Sequence, residues 1–274
     1  MNDYVHGYTT REHERLLDQA NTLAELLHHD TRYPPGSRVL EAGCGVGAQT
    51  VHLVANSPGA AITSIDISLA SLEAARAAVG HLPNVAFRQA DIFHLPFAPQ
   101  TFDHVFVCFV LEHLPDPLGA LQHLKAVLKP GGTLTVIEGD HGSAYYYPRS
   151  AYAQQAIDCL VTLQARMGGN ALVGRQLYPL LFAAGFDAIR VTPRVVYADA
   201  SRPTWVAGFT RNTFNAMIAG AKDAALAAGL IDAAAWDQGM ADLAATAGPD
   251  GTFSYTFFKG TATCGASPVS SPRA

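Results

Sequence analysis

The sequence predicts an α/β chain whose core is a mostly parallel sheet, and three observations carry that expectation. From residue 38 onward, short apolar runs rich in β-formers alternate five times with helical patterns. Four of those five runs are apolar throughout, as strands buried on both faces are. The turn Gly43-Cys44-Gly45-Val46-Gly47 joins the first run to the first helical stretch behind it, and such a turn lies at the carboxyl edge of the sheet, where open α/β folds bind ligands.

The elements follow in order. Thr9 and Glu12 have the form of a capping box, and Leu16, Ala20, Leu23 and Leu27 then recur at helical spacing up to His28-His29-Asp30. Tyr33-Pro34-Pro35-Gly36 breaks this leading helix. Strands are expected over Arg38 to Glu41, Ala61 to Asp66, Val85 to Gln89, His104 to Cys108 and Gly132 to Glu138. Helices are expected over Ala48 to Ala55, over Leu69 to Val79 behind a Ser68 cap, and over Leu118 to Leu128, which Lys129-Pro130-Gly131-Gly132 stops. Beyond Glu138 the alternation lapses: Tyr145 to Met167 and Val173 to Ala184 read as helices, and Ala188 to Val196 and Thr252 to Lys259 as two late strands, one of them antiparallel. An alanine-rich helical insertion, Arg202 to Thr246, separates those strands. The expected organisation is a helical cover over residues 1–35, a main domain over 36–263 with its insertion at about 200–248, and a disordered tail over 264–274, where turn formers replace apolar periodicity.

Composition narrows the function. With 274 residues, 49% of them hydrophobic and 15% charged, the chain can bury a sizeable core. No apolar run approaches the ~18 residues of a bilayer span, and the first residues lack the basic and apolar regions of a signal peptide, so a cytoplasmic protein without membrane attachment is expected. The net charge of −5 with scattered Lys and Arg argues against nucleic-acid binding and for a small-molecule substrate. The four cysteines form no CxxC pair and the eleven histidines no HExxH set, so no metal site is expected.

The glycine turn lets backbone approach a ligand closely and exposes N–H groups at a helix start, although a tight turn without a ligand has the same appearance. Asp66 ends the second strand, where a carboxylate can accept both hydrogen bonds of a ribose diol, and Asp91 follows the third, where it can accept from an adenine amino group. Each aspartate alone is equally compatible with a cap or turn; together with the glycine turn they describe a nucleoside site. A dinucleotide fingerprint, G-x-G-x-x-G, fits poorly, because Gly47 falls one residue early and Glu41 would sit badly beside a pyrophosphate.

Glu41 to Gly47, Asp66, Asp91-Ile92, Phe102-Asp103-His104-Val105 and Leu128-Lys129-Pro130-Gly131-Gly132 together resemble the class I S-adenosylmethionine (SAM) dependent methyltransferases, in order and in spacing, over about Arg38 to Glu138. The resemblance implies a Rossmann-like, seven-stranded, mostly parallel sheet with flanking helices, and methyl transfer from SAM, leaving S-adenosylhomocysteine (SAH). It implies that Glu41, Gly43 and Gly45 surround the methionine and ribose, that Asp66 and Ile67 hold the ribose and adenine, that Asp91 and Ile92 flank the adenine, and that Cys108 and Phe109 face the sulfonium. Tyr8 and Gln19 would contact the cofactor from the N-terminal cover.

An oxygen acceptor must lose its proton, and His113, just after the fourth strand, is the first base candidate, with His141 in Glu138-Gly139-Asp140-His141-Gly142-Ser143 the second. The competing readings are that Glu112 and His113 only fix a turn and that Gly139 to Gly142 is solvated. Tyr145-Tyr146-Tyr147 and the Trp205, Phe209, Phe214 stripe are candidates for an aromatic substrate wall, or else pack a core. The alternative functions are a SAM-binding cyclase or sensor without transfer, and an NAD(P)-dependent oxidoreductase.

Overall fold

The computed structural model describes residues 10–265, with side chains from residue 15; Tyr8 and the tail from residue 266 lie outside the described residues. Seven strands form one sheet, β1 (Arg38–Ala42), β2 (Ala61–Asp66), β3 (Val85–Gln89), β4 (Phe102–Cys108), β5 (Leu128–Tyr147), β6 (Asp187–Ala198) and β7 (Thr252–Thr263), in the order β3-β2-β1-β4-β5-β7-β6. β7 runs antiparallel to both its neighbours, and the remaining pairings are parallel. The order reverses between β1 and β4, and a crevice opens outside their carboxyl ends at that point.

The apolar strands are explained by two cores. Val39, Phe106 and Ile137 point to one face, where they meet α1 (Thr10–His28), α2 (Thr50–Asn56) and α5 (Ala151–Arg166). Leu40, Val105, Val107 and Val136 point to the other, against α4 (Pro117–Val127) and α6 (Leu177–Ala183). Successive strand residues alternate between faces, so with both faces covered consecutive positions are apolar, as along Val105, Phe106, Val107 and Cys108. Helix α3 (Leu69–Val79) starts where Ser68 Oγ accepts the Ser71 N–H at 3.2 Å. Among the described residues, no helix is long and apolar enough to cross a membrane.

One region differs from the sequence reading. The helix expected from Tyr145 begins only at Ala151, where Ser150 Oγ accepts the Ala153 N–H at 3.1 Å; Tyr145, Tyr146 and Tyr147 instead extend β5, paired with Ser254, Phe253 and Thr252. Aromatic side chains favour a pleated surface once a partner strand is available, and β7 supplies it from more than a hundred positions away. The extension contains a bulge: Asp140 faces Thr256 while Tyr145 faces Ser254, so five steps along β5 match two along β7. Ser143 Oγ pins the bulge, donating to Asp140 O at 2.7 Å and accepting the Thr256 N–H at 2.9 Å.

Between β6 and β7 run α7 (Pro203–Trp205), a π-helix (Val206–Asn215), α8 (Ala216–Ala219), α9 (Lys222–Ala227) and α10 (Ala233–Ala245). The π-helix lies against α1, so close at Gly208 that a Cβ there would come 2.3 Å from Thr22 Oγ1. The C-terminal end of α1 is fastened to β7 by Lys259, 2% exposed, whose Nζ donates to Leu27 O at 3.1 Å, Asp30 Oδ1 at 2.5 Å and Thr31 Oγ1 at 2.6 Å. Burial pulls the Lys259 ammonium below its ordinary value, and the Asp30 carboxylate opposes that shift. Helix α1 and the π-helix therefore close over the same end of the sheet from two directions.

Candidate active site

A cavity of about 290 Å³ opens at the carboxyl ends of β1, β2, β4 and β5, beneath α1 and the π-helix. Its floor is the glycine turn. Gly43, Gly45 and Gly47 have φ of +80°, +52° and +82°, a region that L side chains enter only at a cost. The amides of Gly43 and Cys44 both donate to Ile65 O, at 2.8 and 2.9 Å, which folds the turn against the end of β2. At Gly45 a Cβ would point into open space, so the bare backbone there leaves room for a ligand.

Asp66 serves this turn and the cavity together. Its Oδ2 accepts the Gly45 N–H at 2.8 Å and its Oδ1 the Ser68 N–H at 2.9 Å, while the carboxyl lines the cavity. Burial pushes its pKa up, and the Ser68, Gly45 and Ile67 N–H groups restrain the rise. Asp91 caps a short turn, Ile92–His94, by accepting the Phe93 N–H at 2.9 Å, and pairs with His94 at 3.0 Å. Partial burial pushes the Asp91 carboxyl up, but the hydrogen bonds from His94 and Phe93 outweigh it and hold the group below its ordinary value. Ile67, Ile92, Cys108, Phe109 and Gln19 line the cavity as well. Phe109 has φ +58°, an uncommon conformation for an aromatic residue and one that concentrates at functional sites. Burial, with the nearby Glu138 and Glu41 charges adding, drives the Cys108 thiol well above its ordinary value, so it stays protonated.

Glu41 is not among the cavity-lining residues. It sits beneath the turn, where its Oε2 accepts from Thr50 Oγ1 at 2.7 Å and Ser64 Oγ at 2.6 Å, and its Oε1 is buried with no hydrogen-bond partner among the described residues. Burial raises its pKa to about 7, against the two hydroxyl hydrogen bonds. The folded protein therefore holds a proton here between about pH 4.5 and 7 that the unfolded chain has released. Stability conferred at this site falls as pH rises through that window and levels off above it, by at most about 1.4 kcal/mol per pH unit. Glu41→Gln is expected to flatten that dependence. Urea midpoints of both proteins at about pH 5 and about pH 7.5 check it, and an identical pH response would contradict the assignment.

The opposite wall combines two imidazoles with aromatic rings. His113 ends a single helical turn, Leu111–His113, with Nε2 3.6 Å from Glu112 Oε1. His141 projects from the β5 bulge, its Nδ1 2.6 Å from the Tyr255 hydroxyl on β7. Burial lowers the His141 pKa, which keeps the ring neutral near pH 7. A Cβ at Gly139 would lie 2.5 Å from the Tyr255 hydroxyl, so glycine at that position admits the pair. Phe209 and Phe214 of the π-helix meet Tyr255 at ring separations of 5.5 and 5.7 Å, and Phe209 meets Phe257 at 5.7 Å. All four rings line the cavity, a ten-residue π-helix being unusual and such distortions occurring mostly at functional sites.

Sequence reasoning missed Tyr255 and Phe257, although their i, i+2 spacing with Phe253 gives one aromatic face of a strand. It also placed the aromatic wall too widely. Trp205 packs with Ala198, Val206 and Ala247, and Tyr145 and Tyr147 are exposed away from the cavity. Nor is the Gly139 to Gly142 run a solvated turn: Asp140 is buried, with Oδ2 2.7 Å from Arg175 Nε and Oδ1 2.8 Å from its guanidinium.

Comparison with known proteins identifies the domain around the glycine turn. Residues 40–136, which carry the glycine turn, Asp66, Asp91 and His113, match the methyltransferase domain family. These residues form a methyltransferase domain of the class I SAM-dependent type. It is 33% identical over 183 residues to an uncharacterized methyltransferase of Schizosaccharomyces pombe, covering 62% of this chain and 64% of that protein. It is 36% identical over 193 residues to an uncharacterized 37.1 kDa protein in a transposon of Streptomyces fradiae, covering 68% of this chain and 54% of that one. The chain thus spans between half and two thirds of the length of these two relatives. The same fold occurs in the [4+2]-cyclase SpnF, at a TM-score of 0.56 and 22% identity over 91% of this chain and 82% of that one. In this chain, α1 and the π-helix roof the cavity.

Proposed function

We propose that this protein transfers the methyl group of SAM to an oxygen of a small-molecule acceptor. The observation that carries the reading is the meeting, in one cavity, of a bare glycine turn, the Asp66 carboxylate and an aromatic wall that bears two histidines. The residues fit the cofactor: the open space over Gly45 admits a ligand against backbone, and Asp66 retains lone pairs for a ribose diol. Ile67, Asp91 and Ile92 would hold the adenine, Gln19 would reach the ligand from α1, and Cys108 and Phe109 would lie on the sulfonium side.

When bound, SAM supplies an activated methyl group whose leaving group needs no further help, so the protein's task is to align and desolvate the acceptor. Phe209, Phe214 and Phe257 exclude water. His113 takes the acceptor's proton, and Glu112 beside it stabilises the imidazolium that forms. His141, neutral and tied to Tyr255, orients the acceptor oxygen.

Two measurements test this. SAH is expected to raise the melting temperature and NADH to leave it unchanged. Methyl-labelled SAM incubated with candidate hydroxyl compounds should then pass its label to one of them. Stabilisation by NADH alone would overturn the cofactor, and consistent recovery of intact SAM beside a rearranged product would replace transfer with cyclisation.

A further inference from the structure

We propose that Glu138 is the positioning residue that fixes His113 relative to the glycine turn, an inference that rests on the reading of His113 as the group facing the acceptor. Glu138 stands at the carboxyl end of the parallel part of β5 and is completely buried. Its Oε1 accepts the N–H of Val110 at 3.0 Å and of Leu111 at 2.8 Å. These amides open the single helical turn Leu111–His113, and no residue within such a turn can satisfy its first N–H groups. Val110 itself offers no side-chain cap. A carboxylate brought from the neighbouring strand replaces it, in a place where an unpaired amide would be costly.

The consequences run in two directions from Val110. Its carbonyl accepts the His113 N–H at 3.0 Å, so the position of Val110 sets where the imidazole starts. Its side chain occupies the space where a Cβ on Gly43 would stand, 2.5 Å from that point, so the same residue abuts the glycine turn. Anchoring Val110 and Leu111 therefore sets the spacing between the cofactor floor and the proton acceptor. The far side of the turn is held independently, Glu112 O accepting the Asn170 N–H at 2.7 Å and the Gln164 side-chain amide at 2.9 Å. The other Glu138 oxygen, Oε2, is buried without a partner among the described residues, and burial together with the Glu112 charge pushes the Glu138 pKa well up. Its acceptor geometry, rather than a fixed negative charge, is what the turn requires.

The test compares the full-length protein with Glu138→Gln, Glu138→Leu and Glu138→Asp by amide hydrogen exchange, by the ring resonances of His113 and by calorimetric titration with SAH. Leucine keeps the bulk and removes the acceptor; aspartate keeps the carboxyl and shortens its reach. Both are expected to speed exchange at Val110 and Leu111 by on the order of tenfold or more and to displace the His113 resonances. Glutamine, whose carbonyl can still accept both N–H groups, should restore the wild-type values. A folded leucine or aspartate variant with unchanged exchange and unchanged His113 resonances would overturn the proposal. If leucine prevents folding, the aspartate and glutamine pair decides it. Failure of the SAM reading looks different: the wild-type protein would then not bind SAH, while the exchange measurements would still report on Glu138.

Discussion

Asp66→Ala is expected to weaken SAH binding by roughly 5- to 150-fold, the loss of about 1–3 kcal/mol that follows removal of a buried hydrogen-bonding partner. The residue acts twice. Toward the cavity its carboxylate would pair with the ribose; away from it the same group accepts the Gly45 N–H at 2.8 Å and the Ser68 N–H at 2.9 Å. Alanine removes the ligand contact and slackens the turn that forms the floor. Asp66→Asn is expected to lie between wild type and alanine, because its one remaining acceptor oxygen can serve the ribose or a backbone amide. Calorimetric titration with SAH reads the effect, and circular dichroism melting separates it from unfolding. An unchanged dissociation constant in a folded alanine variant would remove Asp66 from the ligand site.

Gly43→Ala should be the most disruptive single methyl addition in the site. The residue has φ +80°, and its new Cβ would meet Val110 Cγ2 at 2.5 Å and Cγ1 at 3.1 Å. Backbone strain and overpacking together predict a loss of about 2–4 kcal/mol of stability, with SAH affinity falling as the turn distorts. Val110 has little freedom to withdraw, since its amide is held by Glu138. Gly43→Ala combined with Val110→Ala should recover the steric part and leave the conformational part. Gly45→Ala is the contrasting case, with no atom within 4 Å of the added methyl: it should cost little stability beyond its positive φ and act mainly on ligand binding. Urea unfolding of the four proteins measures this. Equal midpoints for Gly43→Ala and wild type would show that the turn relaxes freely.

The parts of the site that could be read from sequence are those whose geometry is local. A strand, a glycine turn and a helix occupy consecutive residues, so Gly43 and Gly45 announced their place before any fold was known. Asp66 ends β2 and Asp91 lies two residues beyond β3, and the parallel alternation alone puts all such positions at one edge of the sheet. His113 and His141 were found by the same rule, His113 in the turn that follows β4 and His141 just beyond the part of β5 that pairs with β4. Glu41 shares that local origin, yet its side chain turned beneath the floor, because Thr50 and Ser64 offered it two hydroxyls there.

The roof and the far wall obey a different logic. Tyr255 meets His141 across 114 positions of sequence, and Phe209 and Phe214 reach the cavity only because the helix carrying them is wound as a π-helix against α1. Tyr145 to Tyr147 carried aromatic bulk that suggested a substrate wall, and pairing with β7 sent Tyr145 and Tyr147 to the outside.

By itself, the sequence determined the α/β class, the glycine turn and the place of Asp66 and Asp91 at the same sheet edge, since hydrophobic period and short-range turn chemistry act over a few residues. Only the tertiary structure decided which aromatic rings face the cavity, that Glu138 accepts from the amides opening the turn that bears His113, and where β5 ends. Those outcomes depend on pairings between segments far apart in the chain, where burial and partner availability outweigh any local preference.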